Sequence, residues 1–188
     1  MTYYYNGFPQ SEHDEKLNLI NVDQLEEDAK RVIPEGAYYY IASGAENEWT
    51  WRNNTAAFNH YQIVPRALTD MEDPQLDTEF MGMKLKTPVM IAPIACHGIT
   101  HKDAEVATQK GAAAAGALFS SSTYANKSVE DIAAAAPDAP RFFQLYLSKD
   151  WNFNKMVFDA VKKAGYKAIM LTVDALISGY REANLRTE

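Results

Sequence analysis

Ser122, Gln144 and Thr172 each stand at or near the end of a short apolar run: Leu118–Ser121, Phe142–Tyr146 and Ala168–Val173. All three side chains are uncharged, and all both donate and accept hydrogen bonds. Brought to one mouth, they suit a flat heterocycle with alternating donors and acceptors. Bare phosphate suits them less, because no Gly-rich loop or helix-start nest is evident nearby. A plainer reading is that such residues cap helices or satisfy loops. From residue type alone both readings stay open.

Asp174 and Arg181 are the charged pair of interest. Asp174 follows an apolar run, so it is expected to be partly buried, where a carboxylate needs a partner. Such a group can orient and stabilise a catalytic histidine. Arg181 lies in the loop beyond and can clamp a carboxylate through two parallel N–H bonds. The alternative is a structural ion pair between neighbouring loops. Tyr38, Tyr39 and Tyr40 are consecutive, so on a helix they point in different directions and at most one or two face a site. Tyr124 and Tyr146 sit where pocket walls are expected. His97 and His101 are spaced i, i+4 without the H-E-x-x-H pattern, so no metal site is read there. Cys96 is read as a packing residue.

The elements that position these residues follow from periodicity. Val89–Ala92 is a continuous apolar run of the kind found in buried parallel strands. Leu118–Ser121, Phe142–Tyr146 and Ala168–Val173 read as three more strands. Helices are predicted over 103–115, from Ser128 as cap with Asp131 at the third helical position, and over Asn154–Ala164 with Gly165 closing it. No fourth helix is read after the last strand. Alternating strands and helices imply βα units and a parallel sheet.

The turn after the first strand reads Ala92-Pro93-Ile94-Ala95-Cys96-His97-Gly98 and lacks the G-x-G-x-x-G of a dinucleotide fold. Polar groups instead close every strand: His97, Ser122, Gln144 with Tyr146, and Thr172 with Asp174. That distribution is how a (β/α)8 TIM barrel builds its active face. Four strands cannot close a barrel that needs eight and typically ~250 residues. The expectation is therefore an α/β fold comprising the first half of a barrel. On that rim, Ser122, Gln144 and Thr172 fit the pyrimidine ring of a flavin.

Ahead of the barrel, residues 1–16 read as a polar arm. Asp23 starts a helix, with Glu26 completing a capping box and Pro34 stopping it. Ala37–Ser43 and Glu48–Phe58 are further helical stretches. Gln62–Val64 is extended, and Glu79–Leu85 forms a small hairpin around Gly82 that can act as a lid or plug. The predicted division is an N-terminal segment, 1–87, followed by the half-barrel, 88–188.

Composition narrows the partners. The chain has 188 residues, 47% of them hydrophobic, which is enough for a core and excludes a disordered chain. The net charge of −7 argues against nucleic acid. No apolar run reaches the roughly 20 residues of a membrane span. Met1–Gln10 carries no basic leader, and the single cysteine excludes an internal disulfide. A cytoplasmic setting is expected.

Several segments together carry a resemblance: Tyr40-Ile41-Ala42-Ser43-Gly44-Ala45-Glu46, Pro88 to Ala95, Phe142-Phe143-Gln144-Leu145-Tyr146, and Leu171-Thr172-Val173-Asp174 with Gly179-Tyr180-Arg181-Glu182. Their order and content resemble the FMN-dependent L-2-hydroxy-acid oxidases. The Pro93–Gly98 turn and the Ser122-Thr123-Tyr124 loop look most like bacterial members that act on L-lactate. The resemblance implies FMN as cofactor, and oxidation of L-lactate to pyruvate with O2 reduced to hydrogen peroxide. Alternatives are glycolate or another 2-hydroxy acid, a different electron acceptor, or a non-catalytic half-barrel.

By the same resemblance, the backbone of Pro93, Ile94 and Ala95 lies against the flavin, and Ser122, Gln144 and Thr172 hydrogen-bond its ring. Tyr40 and Arg181 bind the substrate carboxylate. Tyr146 meets the substrate hydroxyl, Tyr124 shapes side-chain preference, and Asp174 supports the catalytic histidine. That histidine belongs to the second half of the family's barrel and has no match here. The expected partners are therefore the C-terminal half of the barrel, from the same gene product or a second chain, and further copies in a homotetramer. The 188-residue chain alone is expected to be inactive.

Overall fold

The computed structural model describes residues 20–69, 72–175 and 177–187. The polar arm over 1–16 lies outside the described residues. The chain divides into two compact units, one taking in Leu76–Leu176 and the other joining Asn18–Gln75 to Ile177–Glu188.

The second of these units is helical. Helix α1 spans Val22–Val32, and its cap is Asn21, whose side chain accepts from Gln24 N at 2.8 Å. The expected start at Asp23 is thus two residues late. Asn caps as well as Asp does, and Asp23 instead sits in the first turn, where its charge complements the helix dipole. Pro34 separates α1 from α2, Glu35–Ala42. Helix α3, Trp49–Ala56, runs into a 3-10 turn at Ala57–His60. Gln62–Val64 joins no sheet among the described residues. The returning segment forms a short helix, Glu182–Leu185, where the sequence predicts none. It is tied back by Glu46 N donating to Tyr180 O at 2.8 Å. A β-carbon on Gly179 would stand 2.9 Å from the Ala45 β-carbon, so this approach needs glycine.

The other unit opens with an antiparallel hairpin, β1 Thr78–Phe80 and β2 Met83–Leu85. Its two turn residues, Met81 and Gly82, have φ of 50° and 76°. Positive φ at both central positions is what a two-residue hairpin of matching twist requires. There follow β3 Met90–Ile94, α4 Ala104–Ala114, β4 Leu118–Ser121, α5 Val129–Ala135, β5 Arg141–Leu145, α6 Trp151–Lys163 and β6 Ala168–Leu171. Ser128 caps α5 by accepting from Asp131 N, as expected. Helix α6 begins three residues before the predicted start, because Asp150 caps it.

The sheet is all parallel, in the order β3-β4-β5-β6. Each strand neighbours the next in sequence. This single winding is that of a (β/α)8 barrel wall, not the reversed order of a dinucleotide fold.

Alternation along the strands sends side chains to two faces. Phe119 packs with Ala112, Ala117 and Ile132 on the helix side, and Phe143 and Leu145 pack with Val161. On the opposite face Leu118 and Phe142 meet Leu85 of the hairpin. The hairpin thus plugs the N-terminal end of the strands, away from Ser122, Gln144 and Thr172.

Burial differs from the sequence expectation at the sheet edges. Strands β4 and β5 are buried throughout, but Met90 and Ile94 of β3 and Ile169, Met170 and Leu171 of β6 are exposed. An apolar run records what a strand is built to bury. Only a neighbour on each side supplies the cover, and the edge strands have one neighbour each.

Arg141 is a structural anchor that the sequence reading missed. It is buried, and its guanidinium donates to four carbonyls: Ala136, Ala139, Pro137 and Ala164. The same group lies 5.5 Å from the Tyr166 ring centroid. It closes the turns before β5 and after α6. Arg141→Met is expected to cost about 3 kcal/mol, since it leaves buried carbonyls without donors. A fall in the urea midpoint at constant m-value would show it; an unchanged midpoint would refute the assignment.

Candidate functional site

The C-terminal end of the sheet carries a neutral hydrogen-bonded cluster. Parallel register sets Gln144 opposite Met170, and two-residue alternation puts Ser122, Gln144 and Thr172 on the face away from the helices. Ser122 Oγ donates to Gln144 Oε1 at 3.1 Å, and Thr123 N donates to the same oxygen at 3.3 Å. Gln144 Nε2 donates to Thr172 Oγ1 at 2.9 Å. Tyr124 N donates to Ser122 Oγ at 3.1 Å. The glutamine amide is therefore oriented by its neighbours. Among the described residues, its second N–H and the Thr172 hydroxyl proton remain unspent.

Thr123 was given no role of its own in the sequence. Its hydroxyl donates to Gln144 O at 2.7 Å and accepts from Tyr146 N at 3.0 Å, stitching the ends of β4 and β5. Nothing in its local pattern signals this, because the partners lie over 20 residues away.

Tyr124 and Tyr146 stand together, with ring centroids 5.4 Å apart and planes tilted by 38°. They line a cavity of about 370 Å³ with Thr123, Leu147, Ser148, Asp150 and Phe153. Pro93, Ile94 and Ala95 form the exit of β3. The ladder to β4 shifts register between Ile91 and Ile94. Proline has no N–H to contribute there, and an edge strand tolerates the gap. Asp174 is exposed, not partly buried as expected. Strand β6 ends at Leu171, so Asp174 lies beyond the ladder in open chain.

The helical unit holds the other two candidates. Arg181 Nη1 donates to Tyr40 O at 2.6 Å, and the guanidinium carbon lies 4.7 Å from the Tyr40 ring centroid. The ring face and the carbonyl together fix the plane of the guanidinium. Tyr38 points elsewhere, donating to Glu26 Oε1 at 3.3 Å.

Around Cys96 the environment is unreactive. Burial, and secondarily the charge of Glu105, push the thiol up from its ordinary value. Burial holds His97 below the usual imidazole range, against the opposing pull of Glu105. His97 Nδ1 pairs with Thr108 Oγ1 at 2.9 Å. Among the described residues no group of three potential metal ligands comes together.

A sheet wound one way, with its polar groups gathered at the C-terminal strand ends, defines a domain of the (β/α)-barrel type. A family model described as FMN-dependent dehydrogenase matches residues 29–188. The chain belongs to the FMN-dependent dehydrogenase family. It is 76% identical over 187 residues to an L-lactate oxidase of Lactobacillus jensenii, covering 100% of this chain and 46% of that protein. The glycolate oxidase of Spinacia oleracea is 40% identical over 170 residues, covering 90% of this chain and 46% of that one. A crystal structure of the Pediococcus acidilactici protein named as a lactate oxidase matches with a TM-score of 0.90 at 50% identity, covering 99% of this chain and 51% of that chain. The chain spans about half the length of the curated relatives it matches.

Proposed function

We propose that this chain contributes one wall of an FMN-dependent oxidase that converts L-lactate to pyruvate and reduces O2 to hydrogen peroxide. The observation that carries the substrate is the 76% identity to an L-lactate oxidase along the whole chain, against 40% to a glycolate oxidase. The cofactor fits the donor set. Gln144 and Thr172 offer two unspent neutral donors on one rim, and the carbonyl and nitrogen edge of a flavin ring is an acceptor for both.

In this reading Ser122, Gln144 and Thr172 hold the ring edge, and the backbone of Pro93 to Ala95 lies beside it. FMN, when bound, supplies the two-electron chemistry and its return to dioxygen. Arg181 and Tyr40 bind the lactate carboxylate and fix the acid in a reactive pose. Tyr146 donates to the substrate oxygen, and Tyr124 bounds the space left for the methyl group. Asp174 supports the imidazolium of a histidine other than the four in this chain. That histidine comes with the remaining barrel strands, which are the proposed partner of the exposed β3 and β6 edges. Homotetramer formation and a cytoplasmic location complete the proposal. Among the described residues no helix is long and apolar enough to cross a membrane.

The test is steady-state peroxide formation by the full-length, yellow protein. L-Lactate should be turned over with a kcat/KM at least about tenfold above glycolate, the discrimination expected from one fitted methyl group. Preference for glycolate would select the alternative substrate. A colourless, folded full-length protein would leave a scaffold role instead.

A further inference from the structure

Glu105 is completely buried in the first turn of α4, and the chemistry above makes no use of it. Its carboxylate accepts three backbone N–H groups from two loops. Oε1 takes His97 N and Asn126 N, both at 3.1 Å, and Oε2 takes Lys127 N at 3.1 Å. His97 belongs to the loop after β3; Asn126 and Lys127 belong to the loop after β4. Two further links join the same loops. Cys96 N donates to Tyr124 O at 3.0 Å, and Gly98 N donates to Asn126 Oδ1 at 2.7 Å. A β-carbon on Gly98 would stand 2.9 Å from the Asn126 side chain, so a larger residue there would displace the amide that accepts from Gly98 N. Cys96 and Ala104 both hold left-handed backbone, with φ of 57° and 47°. Such conformations persist where surrounding bonds over-determine them.

We infer that Glu105 is a positioning residue: its buried carboxylate locks the loops after β3 and β4 together, and so fixes the position of Tyr124, the side chain that bounds the space for the substrate methyl group. The selectivity part rests on the oxidase reading above. Ala95 directly precedes the turn that Glu105 holds, and Tyr124 lies two residues before Asn126. A carboxylate facing only donors is needed at this spot, because an amide would turn an N–H toward at least one loop amide.

The experiment uses Glu105→Gln in the full-length flavoprotein, with Glu105→Asp as the milder variant should the first not fold. Amide hydrogen exchange is expected to rise at least about tenfold in 96–98 and 124–127 together, as for lost local protection. The kcat/KM ratio of L-lactate over 2-hydroxybutyrate is expected to fall several-fold, mainly through KM, with FMN content unchanged. Faster exchange in one loop alone would overturn the lock. An unchanged ratio alongside faster exchange, or a lower Tm as the only effect, would overturn the selectivity role. Failure of the wild-type protein to oxidise L-lactate would sink the functional reading separately, and the exchange measurement would still decide the lock.

Discussion

Arg181→Lys in the full-length flavoprotein is expected to raise the KM for L-lactate by about 10–100-fold, with a smaller change in kcat. The figure corresponds to losing one charge-assisted hydrogen bond of about 1.5–3 kcal/mol. The geometry explains why retaining the charge does not suffice. The guanidinium lies over the Tyr40 ring, and one arm is already committed to the Tyr40 carbonyl. Its plane is thereby set before substrate arrives. Lysine brings a single ammonium on a flexible stem and cannot satisfy the carbonyl and both carboxylate oxygens in one plane. Tyr40→Phe preserves the ring face and should show a smaller effect than Arg181→Lys. Initial-rate kinetics with FMN content measured in parallel check both. An unchanged KM in Arg181→Lys would remove Arg181 from the substrate site.

Gln144→Leu is expected to weaken FMN binding by about 10–100-fold, so that the purified protein loses colour on dilution. Leucine matches the volume but removes the acceptor for Ser122 Oγ and Thr123 N and the donor to Thr172. Each buried polar group left without a partner costs about 1–3 kcal/mol. The amide also supplies one of the two unspent donors on the rim. Ser122→Ala removes one bond to the amide oxygen while Thr123 N still holds it, so its effect should be much smaller. Fluorescence titration with FMN separates the two variants. Equal affinity in Gln144→Leu and wild type would show that the ring does not rest on this cluster.

Much of the architecture was legible because helix caps and strand alternation are local. Ser128 with Asp131, Gly82 in its hairpin turn, and the apolar runs at 118–121 and 142–145 each announce themselves within a few residues. The chemical character of the strand ends was legible for the same reason: Ser122, Gln144 and Thr172 are neutral in any context. Reading failed where the local pattern left two choices open, or where burial depended on how far the sheet extends. Asn21 displaced Asp23 as a cap because both residues qualify locally. Asp174 was expected to be half-buried because an apolar strand precedes it, yet the ladder ends at Leu171 and leaves it exposed.

The sequence by itself determined the alternation of strands and helices, the kind of side chain at each strand end, and through its motifs the family. Only the tertiary structure decided that Thr123 links two strands, that Arg141 is buried on four carbonyls, that Gln144 turns its amide toward Thr172, and that Glu105 joins two loops. The physical reason is range. Periodicity and capping act over one or two turns of chain, whereas the burial and partners of a polar group depend on segments brought together by the sheet.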